Sequence, residues 1–253
     1  ENFDSADLSL PRGQDALIAA VAAANPRTAV VLETGNPVAM PWLGSVNAVL
    51  QAWYPGQRGG EAIAALLSGK VSPSGRLPIS FPQSVAQLPR TKLDGYDPKA
   101  TLFSPPPAPF AVDYHEGSDV GYRWFERTRA EPLFPFGFGL SYTKFEHKDI
   151  RVTGGRQLSV SFTVTNVGKR EGTDVPQLYV APPGRTHRLA GWERVTLKPG
   201  ESRRVTVKAD PWILSSYQDG GWRRAAGTYD VRVATSAKLD GLQASASLAA
   251  GGR

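Results

Sequence analysis

The stretch Leu158–Thr165 places Leu, Val, Phe and Val at every second position, with Ser, Ser, Thr and Thr between them. Side chains alternate across an extended backbone, so this order sorts into one apolar and one polar face only in a strand. Asn166-Val167-Gly168 begins the turn that follows. Further strand-like runs occur at Val175–Val180, Glu193–Leu197, Ser202–Val207 and Thr228–Ala234, separated by Pro182-Pro183-Gly184, Lys198-Pro199-Gly200 and Asp219-Gly220-Gly221. Short strands at regular spacing with Gly/Pro turns over roughly 100 residues indicate an antiparallel β-sandwich, assigned to residues 140–253.

The opposite end follows other rules. After Leu10-Pro11, the residues Leu17, Ile18, Val21 and Ala22 fall on one stripe of a 3.6-residue period, and Asn25-Pro26 stops that helix. Thr28–Leu32 reads as a buried strand, Glu33-Thr34-Gly35-Asn36-Pro37 as a break, and Val46–Ala52 as a second strand. A helix is expected from about Arg58 to Ser68, burying Ile63, Leu66 and Leu67 and ending at Gly69. Leu77–Phe81 reads as a third short strand. Apolar strands alternating with helices imply a mainly parallel sheet with flanking helices. Three strands and two helices are few for a closed unit, so residues 1–82 are expected to be an incomplete α/β portion whose upstream part is missing. A start at Glu1 without Met and without a basic segment followed by an apolar stretch reads as a processed or excised product.

Residues 83–139 form a connector. Ser104-Pro105-Pro106-Pro107-Ala108-Pro109 can continue neither a helix nor a central strand. Its aromatics, Tyr114, Tyr122, Trp124, Phe125, Phe134, Phe136 and Phe138, indicate that it lies against a folded surface.

Composition removes several function classes. The chain has no cysteine, which excludes a disulfide framework, a thiolate metal site and a cysteine nucleophile. No apolar run approaches the roughly 20 residues of a membrane span. The net charge of +6 raises the question of nucleic acid, but the basic residues are dispersed, with short pairs at Arg203-Arg204 and Arg223-Arg224, and no basic stripe is visible. Neither a nucleophile-elbow serine motif nor a phosphate loop is present. His115, His147 and His187 are scattered, without the spacing of a metal site.

Four motifs, in order, carry a resemblance: Glu1-Asn2-Phe3-Asp4 followed by Leu8-Ser9-Leu10-Pro11; Asn25-Pro26; Trp53-Tyr54-Pro55-Gly56-Gln57; and Gly69-Lys70-Val71-Ser72-Pro73-Ser74-Gly75-Arg76-Leu77-Pro78. Together they resemble the α/β-sandwich domain of glycoside hydrolase family 3. Val120–Phe125 and Phe134–Tyr142 are similar to the connector of that family. Thr165–Gly168 and Leu197–Glu201 are similar to its fibronectin type III-like domain.

The resemblance implies a retaining, exo-acting β-glycosidase, a β-glucosidase or a relative acting on β-xylosides. It implies no cofactor and a secreted or periplasmic address. It also implies a partner domain absent from this chain, a (β/α)₈ barrel that supplies an Asp nucleophile. The alternative reading is a non-catalytic carbohydrate- or protein-binding module.

Retaining hydrolysis needs two carboxyl groups, one to attack the anomeric carbon and one to exchange protons with the leaving oxygen and with water. By the resemblance, Glu1 is the acid/base candidate, since Glu1-Asn2-Phe3-Asp4-Ser5 resembles a Glu-Gly-Tyr-Asp-Arg-like segment, with Asn2 and Ser5 departing from it. Some members carry the acid/base several residues earlier, and an ordinary loop carboxylate is the other reading. Glu61 is read as a helix-dipole partner, and Trp53 and Tyr54 as core residues rather than a sugar-stacking wall. Tyr114-His115-Glu116 and Tyr122–Phe125 are read as buried anchors rather than the rim of a sugar site. Trp192, Trp212 and Trp222 are read as core or domain-interface anchors rather than a carbohydrate platform.

Overall fold

The computed structural model describes residues 7–92, 94–97, 99–101, 103–105 and 108–252. Helix α1, Gln14–Ala24, begins after Arg12 and Gly13 take left-handed backbone angles. Asp15 in its first turn accepts a hydrogen bond from Trp42 Nε1 at 2.6 Å. Strands β1 (Ala29–Leu32) and β2 (Ala48–Gln51) pair in parallel, Ala29 beside Ala48 through Leu32 beside Gln51. Helix α2, Gly59–Leu67, follows, and Gly69 at φ +72° closes it by donating its N–H to Leu66 O at 2.9 Å.

The α/β segment therefore has one parallel pair among the described residues, and the expected third strand departs from it. Leu77–Phe81 turns instead to residues 134–138. Leu77 N donates to Phe138 O and Gly137 N to Leu77 O, each at 2.8 Å, and Phe81 exchanges backbone bonds with Phe134. The reason is local: Pro78 and Pro82 lack N–H groups and cannot sustain a central ladder. The expected helix burial is also corrected. Ala22 is buried, and Ile18 is half-buried against the small core of Leu10, Leu32, Val38, Met40, Trp42 and Phe81, to which Ala22 does not belong; Leu17 is 63% exposed. In α2, Ile63 and Leu66 are half-buried and Leu67 is exposed. Each helix thus covers only part of its apolar stripe.

The connector carries a short helix, α3 (Tyr122–Thr128). Beyond it run β3 (Phe145–Thr153), β4 (Ser159–Asn166), β5 (Gly172–Asp174), β6 (Gln177–Ala181), β7 (Arg188–Trp192), β8 (Val195–Leu197) and β9 (Ser202–Lys208). These are followed by β10 (Ser216–Gln218), β11 (Gly221–Arg224), β12 (Gly227–Ala234), β13 (Leu242–Leu248) and β14 (Gly251–Gly252). Two antiparallel sheets, β13-β12-β6-β7 and β3-β4-β9, enclose the main core. Two smaller pairings, β5-β8 and β10-β11-β14, complete the unit.

In β4 the alternation holds as the sequence requires: Val160, Phe162 and Val164 are fully buried, and Ser159, Ser161, Thr163 and Thr165 lie on the opposite, partly covered face. Strand β6 is buried on both faces. Leu178 and Val180 enter the sandwich core, whereas Tyr179 meets Tyr122 of α3 edge-on at 5.8 Å. Tyr179 OH donates to Gln177 Oε1 at 2.6 Å, and Gln177 Nε2 donates to Gly137 O and Thr235 O. The connector is thus clamped to the outer face of the four-stranded sheet.

Candidate functional site

Parallel strands send their following loops to one edge, and in open α/β sheets ligands bind outside the carboxyl ends of the strands. Here that edge is formed by Glu33–Pro37 after β1 and Ala52–Gln57 after β2. Gln51, the last residue of β2, donates Nε2 to Thr34 O at 3.3 Å and to Thr34 Oγ1 at 3.2 Å, tying the two loops together. The tip of the Tyr54 ring lies over Gly35, in the space a Cβ there would take.

Trp53 holds a left-handed backbone, φ +56°, which is costly for a bulky residue. The sharp turn sends its ring down onto Phe81, edge-on at 5.9 Å. Tyr54 then stands outward and is 81% exposed. The core reading therefore holds for Trp53 and is corrected for Tyr54. Glu33 adds an exposed carboxylate to the same edge. In the sequence it sits in a turn-rich break, Glu33–Pro37, with no motif around it to mark it.

Glu1 lies outside the described residues. Glu61 forms an ion pair with Arg58 at the start of α2, in keeping with a helix-end role. His115 and Tyr114 are exposed, and the Arg90 guanidinium lies 4.9 Å from the Tyr114 ring centre. Only Glu116 of that trio is buried, with Arg90 at 3.6 Å. The anchor reading is therefore corrected for Tyr114 and His115. In α3 it describes the residues well: Phe125 is buried, Tyr122 OH accepts Leu189 N–H at 2.8 Å, and Trp124 Nε1 donates to Gln87 O at 2.8 Å. Trp192, Trp212 and Trp222 are all exposed, which corrects their reading as core residues.

The histidines scattered in sequence meet carboxylates in space. His147 Nε2 lies 2.6 Å from Asp174 Oδ2, and Arg76 reaches Asp174 Oδ1 at 3.0 Å from the α/β segment. Burial pushes the Asp174 carboxyl up, but the hydrogen bond and charge of His147 and the Arg76 guanidinium more than offset it, holding Asp174 below the usual carboxylate range. His187 Nδ1 lies 2.7 Å from Glu126 Oε1 of α3, and the backbone N–H of His187 donates to Glu126 Oε2 at 2.8 Å. Both clusters join segments of the chain, and in each the carboxylate is engaged by a histidine. Among the described residues there is no group of three His, Asp or Glu side chains that could hold a metal ion.

Comparison with known proteins adds independent findings. Residues 1–142 match the model of the glycosyl hydrolase family 3 C-terminal domain, and residues 174–237 match that of a fibronectin type III-like domain. A beta-glucosidase of Rhizobium radiobacter is 42% identical over 94% of this chain, and beta-glucosidase B of Emericella nidulans is 41% identical over 94%. The chain spans about 30% of the length of each of these relatives. The crystal structure of DesR, a beta-glucosidase from Streptomyces venezuelae in complex with D-glucose, is similar with a TM-score of 0.82 and 40% identity, covering 96% of this chain and 32% of that one. The Bifidobacterium adolescentis family 3 beta-glucosidase gives a TM-score of 0.88 at 35% identity, covering 100% of this chain and 37% of that one.

Proposed function

Because the chain belongs to glycosyl hydrolase family 3, we propose that it is the C-terminal part of a retaining, exo-acting β-glycosidase, with terminal β-linked glucosides as the first substrate class and β-xylosides as the second. The observation that carries this reading is identity above 40% to beta-glucosidases over nearly the entire chain, with the same fold in their solved relatives. In this reading residues 1–82 belong to the α/β-sandwich domain, 83–139 to the connector and 140–253 to the fibronectin type III-like domain. The nucleophile comes from a (β/α)₈ barrel outside this chain. The edge carrying Glu33 and Tyr54 faces that barrel, where an outward Tyr ring suits a pyranose face. A secreted or periplasmic address belongs to the same reading and is checked by fractionating cells that make the full-length protein.

The chemistry assigned to Glu1 follows from the two-carboxylate mechanism. The barrel carboxylate attacks the anomeric carbon while protonated Glu1 gives its proton to the glycosidic oxygen, so the C–O bond breaks and the alcohol leaves. Glu1, now a carboxylate, takes a proton from water, the water oxygen attacks the same carbon, and the barrel carboxylate is released. A Glu1→Gln variant of the full-length enzyme is expected to lose about 10²–10⁴-fold in kcat/KM on alkyl glucosides. The loss is smaller on substrates whose leaving group needs no proton, and the basic limb of the pH profile disappears. Unchanged turnover of alkyl glucosides would assign the acid/base to another residue.

A further inference from the structure

The small ribbon β10-β11-β14 carries a site unrelated to the parallel pair. Tyr217 and Trp222 are register partners and so lie on one face. Trp222 meets Trp212 edge-on at 5.5 Å and Tyr217 edge-on at 5.7 Å. Trp212 and Trp222 are each 42% exposed, on a structure whose main core lies elsewhere. They wall a depression of about 360 Å³ together with Pro211, Ser215, Arg156 and Arg224. That volume is within the range of small-molecule pockets, which are typically apolar and aromatic with a few convergent polar groups.

Both charged residues of the lining are arginines. Arg224 is buried, and its orientation is set by backbone: Nε donates to Ala249 O at 3.1 Å and Nη1 to Arg156 O at 2.8 Å. Nη2 has no hydrogen bond among the described residues. It lies beside Gly251, where a Cβ would stand 3.2 Å from it, so a side chain at that position would crowd this nitrogen. A guanidinium held in place beside two indoles matches a ligand with a flat apolar face and an anionic group.

We propose that this depression binds an anionic saccharide, with a pyranose face on the indoles and its carboxylate on Arg224 and Arg156. A neutral glucan would leave the arginines unmatched. Single-stranded nucleic acid also uses stacking and arginine, but it needs a basic groove that tracks a backbone, and the depression has room for one or two rings. The proposal stands whether or not the glycosidase reading does, because it is tested by binding alone.

The test is calorimetric titration of the 253-residue chain with a galacturonate oligosaccharide, a cello-oligosaccharide of equal length and an oligothymidylate. Saturable binding of the uronate alone is expected. Trp222→Ala and Trp212→Ala, which leave the net charge unchanged, should each weaken it roughly tenfold. Arg156→Gln should weaken it, whereas Arg27→Gln, the same charge loss on the exposed α/β surface, should not. Gly251→Val, which narrows the depression without altering the indoles, should reproduce the loss if the Trp variants fold poorly. Absence of uronate binding, equal binding of the neutral sugar, tighter binding of the oligonucleotide, or indifference to both the Trp variants and Gly251→Val would each overturn the proposal.

Discussion

At the scale of single residues, Asp174 joins the two halves of the molecule. Its carboxylate is almost fully buried and holds Arg76 from the α/β segment and His147 from β3. Replacing it by Asn leaves a buried guanidinium without its counter-charge, and Asp174→Asn should cost about 3–5 kcal/mol, read from denaturant midpoints. Since folding lowers the Asp174 pKa, its contribution is fully present above the ordinary carboxylate pKa of about 4 and is lost as pH falls through the lowered folded value. Melting temperature should therefore drop on acidification below about pH 4, and the drop should be shallower in Asp174→Asn. Gly137 is a second sensitive point: its φ is +81°, and the Gln177 side chain fills the place of a Cβ. Gly137→Ala should lower stability by more than about 1 kcal/mol, with the loss visible in the same unfolding curves.

At the scale of elements, β4 gives a clean contrast. Phe162→Ala should cost about 3–5 kcal/mol, whereas Ser161→Ala, one residue along on the other face, should stay within about 0.5 kcal/mol. Legibility in sequence follows the same physics. Strands with one apolar face, such as β4, β9 and β12, stand out because burial enforces the period of two. Strand β3 did not, because its polar residues and the irregularity between Lys148 and Arg151 break the alternation. Strand β13 alternates small residues such as Ala244, Ser245, Ala246 and Ser247, which carry little hydrophobic contrast. Leu77–Phe81 has strand composition, yet Pro78 within it and Pro82 directly after it sent it to a different partner. Tyr54 was legible as an aromatic but not as an exposed one, because its direction is set by the left-handed turn at Trp53. The pairing of His147 with Asp174 and of His187 with Glu126 joins residues distant in sequence, a proximity that only the tertiary fold creates.

At the scale of the whole molecule, the sandwich has a continuous core while the α/β segment has a small one with exposed apolar helix faces. Leu17 and Val21 of α1 and Leu67 of α2 are the clearest of these. Folded chains rarely leave such faces without a partner. If they receive the rest of the enzyme, Leu17→Gln should change the stability of this chain by less than about 0.5 kcal/mol yet weaken its association with the N-terminal portion, measured by co-purification of the two pieces. The central claim is that this chain is the barrel's partner in a β-glycosidase, and turnover of an aryl β-glucoside tests it most directly, by the chain alone and by the chain joined to its N-terminal barrel. Negligible turnover alone and full turnover when joined is the expected result. Normal turnover by the chain alone, or none by the joined enzyme on any β-glucoside or β-xyloside, would contradict it.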